Sequence, residues 1–452
     1  MSPAAVLLTV SGYIVLLFVL ARISGRRAGN AAFFTGNRRT RWYMAASAMI
    51  AAAMSGVTFI SVPGSVAADA FSYMQMVMGF TVGQFVVAFV LVPVFYRLQV
   101  VSLYEYLDNR FGIASHRTGA WFFFLSKMTG TALKVYIVCA VMQGLVFDHY
   151  GVPFWANASV TMLFVWLYTQ QGGVKTLIWT DTLKTACLVT ALVLTIVFLM
   201  RGLGWSPADT IRQVAASPMS RIFFFDDPAS GYYFWKMFAA GIVLLVAMTG
   251  LDQDMMQRNM SCPTPRDAQK NIVLTAVCQV FAEVAVNGKL PLAVGILFVI
   301  GLISSTYSSA GSALTALTTS FTVDILAATK HGDDRTLTRT RRVVHIAMAV
   351  CMVALIAAFG YVVDDSTINL VFKVAGYTYG PILGMFVFGL ATHRRIRDRW
   401  MPLIAIAAPL LSGLLQYVAR THWNYQIGFE LLIYNAAFTM AGMGLLTKRD
   451  EK

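Results

Sequence analysis

About thirteen long apolar runs divide the chain, and they constrain its fold more than any other feature. An α-helix needs roughly 20 apolar residues to cross a bilayer, and most runs approach that length. Hydrophobic residues make up 58% of the 452 residues and charged residues only 12%, far from a soluble domain. We predict an all-α polytopic membrane protein whose single transmembrane domain covers 1–452. The runs lie roughly at 3–23, 42–66, 72–96, 119–145, 154–170, 180–200, 232–256, 270–287, 290–327, 342–363, 367–391, 400–418 and 425–446.

The positive charge of the chain indicates its topology. Most of the 35 Lys and Arg residues lie in alternate connections and in the C-terminal tail. By the positive-inside rule this pattern places the N-terminus outside and the C-terminus in the cytoplasm. We therefore expect a multi-pass protein of the cell inner (plasma) membrane, with the lipid bilayer as a partner. The net charge of +14 is a topology signal and predicts no nucleic-acid partner.

The residues that enzyme or metal chemistry needs do not converge anywhere. Five cysteines occur singly, and six histidines lie mainly in loops without metal-binding spacing. The first apolar run has no basic residue before it and no cleavage site after it, so it predicts an anchor rather than a signal peptide. We expect no catalytic residue, no cofactor and no enzyme activity.

Helix-breaking residues interrupt several of the predicted spans. The second span contains Met54-Ser55-Gly56, the seventh contains Thr249-Gly250 before Asp252, and the eleventh contains Gly380-Pro381. Broken helices occur at membrane depth where freed backbone groups line a cavity or meet an ion. The second and seventh spans are five apart, as expected for five helices repeated with inverted topology. Gly and Pro are also simply common in membrane helices.

Hydroxyl side chains are concentrated in the ninth span. Eleven Ser or Thr residues lie between Ser304 and Thr322, and Ser305, Ser308, Ser309 and Ser312 share one helix face. Such a face is a set of hard oxygen ligands for a small cation. It is equally a small-residue contact that lets two helices approach closely.

Charged residues inside the spans are few. Asp181 is either a cation ligand or an ordinary acid at a helix N-terminus. Lys127 and Lys236 lie near span ends, where we expect them to snorkel to the surface. Lys134 and Lys373 lie deeper, where they pair with buried carboxylates or contact a solute.

Six motifs in order resemble the sodium:solute symporter family, whose members include bacterial proline, sialic acid and sugar symporters. The motifs are FFTGNRRTRWYMAASAMIAAAMSG at 33–56, VSLYEYLDNRFG at 101–112, GGVKTLIWTDTLK at 172–184, DQDMMQR at 252–258, SSAGSALTALTTSFTVDIL at 308–326 and GPILGMFVFG at 380–389. The resemblance implies a LeuT-like fold and sodium-coupled symport by alternating access. It places one five-helix repeat at 42–200 and an inverted one at 232–391, with a flanking helix at 3–23 and C-terminal helices at 400–446.

The same resemblance implies where sodium binds. One ion is held by main-chain carbonyls of Ala51, Met54 and Ser305 and by the hydroxyls of Ser308 and Ser309. Some family members hold a second sodium, and here the matching residues are Asp181, Ser308 and Ser312. Gly311 stands where the family often has a serine of that second site.

The resemblance also places a cavity for a small organic solute. Few of its residues can form hydrogen bonds, which disfavours a sugar, and Ala53 stands where proline-type members use an Asp. The cavity positions are Ser55, Gly56, Val57, Thr58, Val77, Phe80, Met248 and Gly250.

The eighth span is the main departure from the family pattern. Only 19 residues, NIVLTAVCQVFAEVAVNGK, separate Lys270 from Leu290, where relatives have a full helix and an outer loop. We expect a short, tilted or distorted segment. A transport-impaired solute sensor or scaffold that retains the symporter fold is therefore the alternative function.

Overall fold

The computed structural model describes the chain as a set of packed α-helices. It describes residues 3–26, 28–53, 66, 69–170, 172–284, 306–307, 309–328, 333–362, 367–423 and 425–447. Within these residues the only β-type pairing is one bridge between Ile396 and Thr447. The helices are α1 (Pro3–Gly25), α2 (Asn30–Thr35), α3 (Trp42–Ala53), α4 (Tyr73–Leu98), α5 (Glu105–Arg110), α6 (Ile113–Tyr150), α7 (Phe154–Thr169), α8 (Val174–Leu203), α9 (Pro207–Ala216), α10 (Phe234–Gly250), α11 (Gln253–Met260), α12 (Pro265–Val284), α13 (306–325, described without residue 308), α14 (Asp334–Val362), α15 (Thr367–Ala391), α16 (Met401–His422) and α17 (Leu431–Leu445).

The lengths and compositions of these helices fit a membrane protein. Seven described helices are long and apolar enough to cross a bilayer, and α10 with α11 makes an eighth if that bent pair is one span. Helices α3 and α17 are apolar but shorter. The all-helical fold is therefore confirmed, and the count of about thirteen spans stays a prediction.

Polarity is distributed inside out compared with a soluble protein. Large apolar side chains such as Leu8 and Leu410 are 78% and 69% exposed. Charged side chains such as Asp181, Lys184 and Arg258 are buried. Charges buried at membrane depth face the protein interior and pair with one another, which directs attention to the centre of the helix bundle.

Helices α4 and α10 cross with their backbones in close approach. A Cβ atom at Gly79 would meet the carbonyl oxygen of Phe238, and one at Gly241 would meet the carbonyl oxygen of Met76. Since no side chain fits between the two backbones, glycine is required at both positions. Small residues of this kind let membrane helices pack by van der Waals contact.

One of the two described sequence breaks is real and the other is not. Helix α10 ends at Gly250, and α11 continues at an angle of 65°. The prediction that Gly380-Pro381 breaks the eleventh span is wrong, because α15 runs unbroken through Pro381. Proline lacks the N–H that would bond the carbonyl four residues earlier, that of Tyr377. Asn435 of α17 donates to this carbonyl at 2.9 Å instead, so the helix persists. The predicted break at Met54-Ser55-Gly56 lies outside the described residues.

The eighth span begins earlier than predicted. Helix α12 starts at Pro265 rather than near 270 and continues for 20 residues to Val284. That length corresponds to about 30 Å, the thickness of a bilayer core. The described part is thus neither short nor interrupted, and the remainder of the predicted shortening lies outside the described residues.

The close crossing of α4 and α10 predicts that one methyl group added at Gly79 destabilises the protein. We expect Gly79→Ala to lower the melting temperature of the purified protein, because its Cβ would collide with a backbone oxygen that cannot move freely. Overpacking of this kind costs roughly 1–3 kcal/mol. Gly130→Ala in α6, where a Cβ meets nothing within 4 Å, is the matched control and should leave the melting temperature unchanged or raise it. Equal melting temperatures for the two variants would contradict the close crossing.

Candidate functional site

The site begins at the break between α10 and α11. The Asp252 side chain caps α11, because its Oδ1 accepts hydrogen bonds from the backbone N–H of Asp254 at 2.8 Å and of Met255 at 3.3 Å. Two N–H groups that the start of a helix leaves without partners are thereby satisfied. The same cap turns Asp252 and Asp254 into the bundle interior, where they are buried.

A lysine from α6 neutralises these two carboxylates. The Lys127 ammonium lies 3.0 Å from Asp252 Oδ2 and 2.7 Å from Asp254 Oδ2. Tyr379 of α15 donates its hydroxyl to Asp252 Oδ2 at 2.5 Å. The expectation that Lys127 snorkels to the surface is therefore wrong: acids brought by another helix bind it inside the bundle. Lys236 does lie near a span end, where its ammonium donates to loop carbonyls of Ala229 and Ser230.

An arginine connects this cluster to α8. Arg258 of α11 contacts Asp254 Oδ1 at 2.5 Å through Nη1 and Asp181 Oδ2 at 2.9 Å through Nη2. The second oxygen of Asp181 lies 3.1 Å from the Lys184 ammonium, one helical turn further along α8. Both oxygens of Asp181 therefore face cationic side chains of the chain itself.

Together these groups form a buried charge network with no net charge. Its six side chains are at most 13% exposed, so each charge has lost most of its contact with water. Removing charges from water costs several kcal/mol each, and only close pairing offsets that cost. The network consists of Lys127, Asp181, Lys184, Asp252, Asp254 and Arg258.

Among its described residues, the hydroxyl-rich helix α13 touches this network at Ser312. The Ser312 hydroxyl donates to Asp254 Oδ2 at 3.1 Å and also lies 3.1 Å from the carbonyl oxygen of Ser309. Further along, Thr315, Thr318 and Thr319 donate to carbonyls of their own helix. Each of those hydroxyls has a backbone partner, as is common for Ser and Thr in helices, and Thr318 also lies 2.8 Å from His345 Nδ1.

Ser309 differs from these hydroxyls. Its Oγ is buried and has no hydrogen-bond partner in the described part of the chain. A buried hydroxyl without a partner costs roughly 1–3 kcal/mol, so it calls for an explanation such as an ion.

Gly311 supports the helix-contact interpretation for its own position. A Cβ atom there would strike the hydroxyl of Tyr168 on α7, which donates to the Tyr307 carbonyl at 2.5 Å. The Tyr168 hydroxyl thus occupies the space a serine at 311 would need. The helix-contact interpretation therefore holds at Gly311, and the cation-ligand interpretation of the serines stays a prediction.

The other predicted sodium ligands are described only in part. Ala51 lies in α3, 1% exposed and two residues before the described helix ends at Ala53. Asp181, Ser309 and Ser312 are buried and described above. Met54, Ser305 and Ser308 lie outside the described residues.

The predicted cavity residues that are described line densely packed regions. Val77 and Phe80 of α4 are 1% and 7% exposed within the main apolar core, and Met248 of α10 packs against that core. A Cβ at Gly250 would meet the side chains of Leu91 and Val87. The remaining positions, Ser55, Gly56, Val57 and Thr58, lie outside the described residues.

The two deeper lysines have different environments. Lys373 is exposed at the start of α15 and lines a groove of about 500 Å³ with Tyr417 and Arg420, away from the bundle centre. Lys134 of α6 is only partly exposed.

Sequence reasoning missed Lys184, Asp254 and Arg258. The signal was present as spacing, since Asp181–Lys184 is an i,i+3 pair and Asp254–Arg258 an i,i+4 pair. Residues three and four apart face each other on a helix, so opposite charges at this spacing inside an apolar span predict a buried pair. The connection between the two pairs could not be seen, because 77 positions separate Arg258 from Asp181.

Comparisons with known proteins agree with this architecture. The family model described as the sodium:solute symporter family matches residues 33–282. The chain is 29% identical to the human sodium/iodide cotransporter over 276 residues, which cover 60% of this chain and 42% of the relative. It is 24% identical to the human sodium-coupled monocarboxylate transporter 1 over 431 residues, covering 85% of this chain and 68% of the relative. The first of these matches thus spans less than half of the relative's length.

Two solved structures show the same fold. A Na⁺-coupled sialic acid symporter in a substrate-bound outward-open state superposes with a TM-score of 0.81 at 16% identity, covering 99% of this chain and 98% of the other. Mhp1, a nucleobase-cation-symport-1 family transporter in a closed conformation, superposes with a TM-score of 0.51 at 12% identity, covering 91% and 93%. At these identities the likeness establishes a shared LeuT-like fold.

The charge network predicts that removing a buried arginine lowers the free energy of unfolding more than removing an exposed one. Arg258→Leu should lower the free energy of unfolding by about 3–5 kcal/mol, because it leaves Asp181 and Asp254 short of a partner in the interior. Arg221→Leu removes an exposed pair with Asp226 and should change that free energy by less than about 1 kcal/mol. Denaturant unfolding in detergent measures both variants. A similar small effect for both would show that the interior pairs do not form.

Proposed function

The chain belongs to the sodium:solute symporter family, and we propose that it is a sodium-coupled secondary symporter that imports a small organic solute by alternating access. It carries the solute across the bilayer and needs no cofactor other than Na⁺ as the coupling ion. The names of its relatives, a sodium/iodide cotransporter and sodium-coupled monocarboxylate transporters, support coupling to sodium and a small solute.

The buried Ser309 hydroxyl, which has no partner among the described residues, is the observation that carries this proposal. We propose that it is a ligand of one sodium ion, together with the Ser308 hydroxyl. Main-chain carbonyls of Ala51, Met54 and Ser305 complete the set. Neutral oxygens suit a hard cation such as Na⁺ and bind it weakly enough to release it. Ala51 supports the assignment because it lies in a buried stretch of α3 shortly before the predicted break.

The second predicted set consists of Asp181, Ser308 and Ser312. In this conformation Asp181 faces Lys184 and Arg258, and Ser312 donates to Asp254. A sodium ion at Asp181 would have to displace an ammonium that is tethered one turn away on the same helix. We therefore propose that one sodium drives transport in the wild-type protein.

Helix packing supports two inverted repeats within a single transporter domain over 1–452. In the proposed arrangement, α3, α4, α6, α7 and α8 form the repeat at 42–200. The chain from α10 through α15 forms the repeat at 232–391. The second helix of the first repeat, α4, packs on the first of the second, α10, and α12 packs on α3 in the reciprocal way. Such reciprocal contacts are expected when a two-fold axis in the membrane plane relates the halves.

The solute cavity is proposed to lie between the two helix breaks. Its positions are Ser55, Gly56, Val57, Thr58, Val77, Phe80, Met248 and Gly250. Val77 and Phe80 are densely packed here, so a solute that touches them requires a different conformation of the bundle. Alternating access requires conformations of this kind in any case.

We propose the cell inner (plasma) membrane as the location, with the N-terminus outside and the C-terminus cytoplasmic. The basic clusters support this orientation, and they lie where anionic lipid headgroups attract them, without a nucleic-acid partner. The alternative of a transport-impaired sensor or scaffold depended on a shortened eighth span. The continuous 20-residue helix α12 does not favour it.

Transport is tested with the purified full chain in proteoliposomes. We expect an inward Na⁺ gradient to accelerate uptake of at least one radiolabelled small organic solute over an equal K⁺ gradient. Sodium-dependent solute binding without accumulation would instead support the sensor. A solute accumulated equally in Na⁺ and K⁺ would contradict sodium coupling.

The sodium site is tested by removing one hydroxyl. Ser309→Ala should raise the Na⁺ concentration for half-maximal thermal stabilisation about tenfold, equivalent to about 1.4 kcal/mol, with choline chloride holding ionic strength constant. Thr319→Val on the same helix is the control, because the Thr319 hydroxyl already donates to the Thr315 carbonyl at 2.9 Å. Unchanged sodium dependence in Ser309→Ala would remove the assignment.

The number of sodium ions is tested by replacing the tethered ammonium. The wild-type Na⁺ titration should fit a Hill slope near one. Lys184→Gln retains length and polarity but frees an oxygen of Asp181, so the slope should rise toward two. A wild-type slope of two would show that sodium binds at Asp181 despite Lys184.

A further inference from the structure

A groove of about 750 Å³ opens where α3 and α8 begin. Its lining includes Arg39 and Arg41, which lie just before α3, and Lys175, the second residue of α8. Helix α8 is long and apolar enough to cross a bilayer, so its first residues lie at the depth of the lipid headgroups. The groove therefore lies at the boundary between bilayer and water rather than at the bundle centre.

The groove is basic, and no acid is among its described lining residues. The side chains of Arg39 and Lys175 form no ion pair or hydrogen bond in the part of the chain that the structure describes. Arg41 is held at the groove by Tyr43, whose hydroxyl accepts a hydrogen bond from its Nη1 at 2.8 Å. The neighbouring Arg38, by contrast, donates to two main-chain carbonyls at 3.1 and 3.2 Å. The groove thus collects three cationic groups that can bind an anion.

Aromatic and apolar side chains continue the groove toward the bilayer. Trp179 of α8 and Tyr43 of α3 line it and are 50% and 46% exposed. Both residue types suit a membrane interface, because each has an apolar ring and a hydrogen-bonding group. Beyond Trp179, the exposed residues Ala186 and Val193 follow at intervals of about two helical turns, so all three share one face of α8. That exposed apolar face is the one that contacts lipid.

We propose that this groove binds an anionic phospholipid, with its phosphate at the three cationic groups and an acyl chain along the Trp179 face of α8. From water to bilayer the groove is cationic, then amphipathic, then apolar, which is the order of chemistry in a phospholipid. Arginine presents paired N–H donors that match phosphate oxygens, and lysine adds a compact charge. A soluble anion would leave the apolar face unused, and a zwitterionic lipid would bring a second cation to the groove.

The bound lipid bridges two helices, which distinguishes this site from a general attraction of basic clusters to an anionic leaflet. Helices α3 and α8 pack on each other. A phosphate that contacts Arg41 and Lys175 holds their first turns together. Since a ligand that binds only the folded state stabilises it, the lipid should raise the melting temperature. Binding requires neither Na⁺ nor a solute, so its test is independent of the symporter proposal.

The test uses the purified full chain in mixed detergent micelles without Na⁺, with choline chloride holding ionic strength constant. Dioleoylphosphatidylglycerol is compared with dioleoylphosphatidylcholine, which has the same acyl chains, and with glycerol phosphate, a soluble part of the headgroup. We expect the anionic lipid to raise the melting temperature at about tenfold lower concentration than the zwitterionic lipid. Glycerol phosphate should have no effect over the same range.

Arg39→Gln combined with Lys175→Gln should remove most of this preference. A basic side chain near an anionic membrane surface contributes about fivefold in affinity, so losing two should raise the half-maximal concentration of the anionic lipid roughly 25-fold. Arg39→Lys combined with Lys175→Arg keeps both charges and should retain most of the preference.

Arg394→Gln combined with Arg395→Gln is the matched control. It removes the same number of charges from exposed side chains that do not line the groove. It should leave the lipid preference of the wild type unchanged.

The lipid comparison on the wild type decides the inference even where a variant folds poorly. Equal stabilisation by the two lipids would show that the groove does not select an anionic headgroup. Equal stabilisation by glycerol phosphate would assign the groove to soluble phosphates instead. An equal loss in the groove and control variants would reduce the effect to diffuse attraction by net charge. Each of these results overturns the proposal.

Discussion

Pairing of buried charges is the interaction on which the centre of this structure depends. Six ionised side chains come from α6, α8, the α10–α11 break and α11, and none of them can be left alone at membrane depth. Each acid therefore requires the helix that carries its partner to be present and in register. Arg258 is central to the network, since its guanidinium joins Asp181 to Asp254. Apolar packing alone is less selective, because lipid is as good a solvent for leucine as another helix is.

The same pairing explains why the chain breaks where it does. A continuous α10–α11 helix would carry its acids along one cylinder, whereas the 65° bend turns Asp252 and Asp254 toward Lys127 of α6. Asp252 stabilises the bend by capping α11 with one carboxylate oxygen while its other oxygen meets the ammonium. Asp252 therefore both caps α11 at the bend and takes part in the charge network. The charge network can separate only if its members exchange partners or gain water, which couples any movement of α11 to the helices around it.

Some of this architecture could be predicted from the sequence, because it depends on patterns among residues close together in the chain. Family membership and the all-helical fold followed from motifs and apolar runs, and both are confirmed. The break after Gly250 followed from Thr249-Gly250 and Asp252, which cannot continue a helix well. The prediction that Pro381 breaks its helix was wrong because Asn435, a donor 54 positions away in the chain, satisfies the carbonyl that the proline leaves without a partner. The prediction that Lys127 snorkels to the surface was wrong for the same reason, since the acids that bind it lie 125 and more positions away in the chain. Local sequence shows which groups need partners, and only the tertiary fold shows which residues provide them.

The lysines of the bundle interior differ in whether their charge is paired. Lys127 and Lys184 form ion pairs with acids of the chain itself. Lys134 shares the face of Lys127 but forms no ion pair with an acid in the described part of the chain. Pairing of Lys127 therefore depends on the bend between α10 and α11, which brings Asp252 and Asp254 to it.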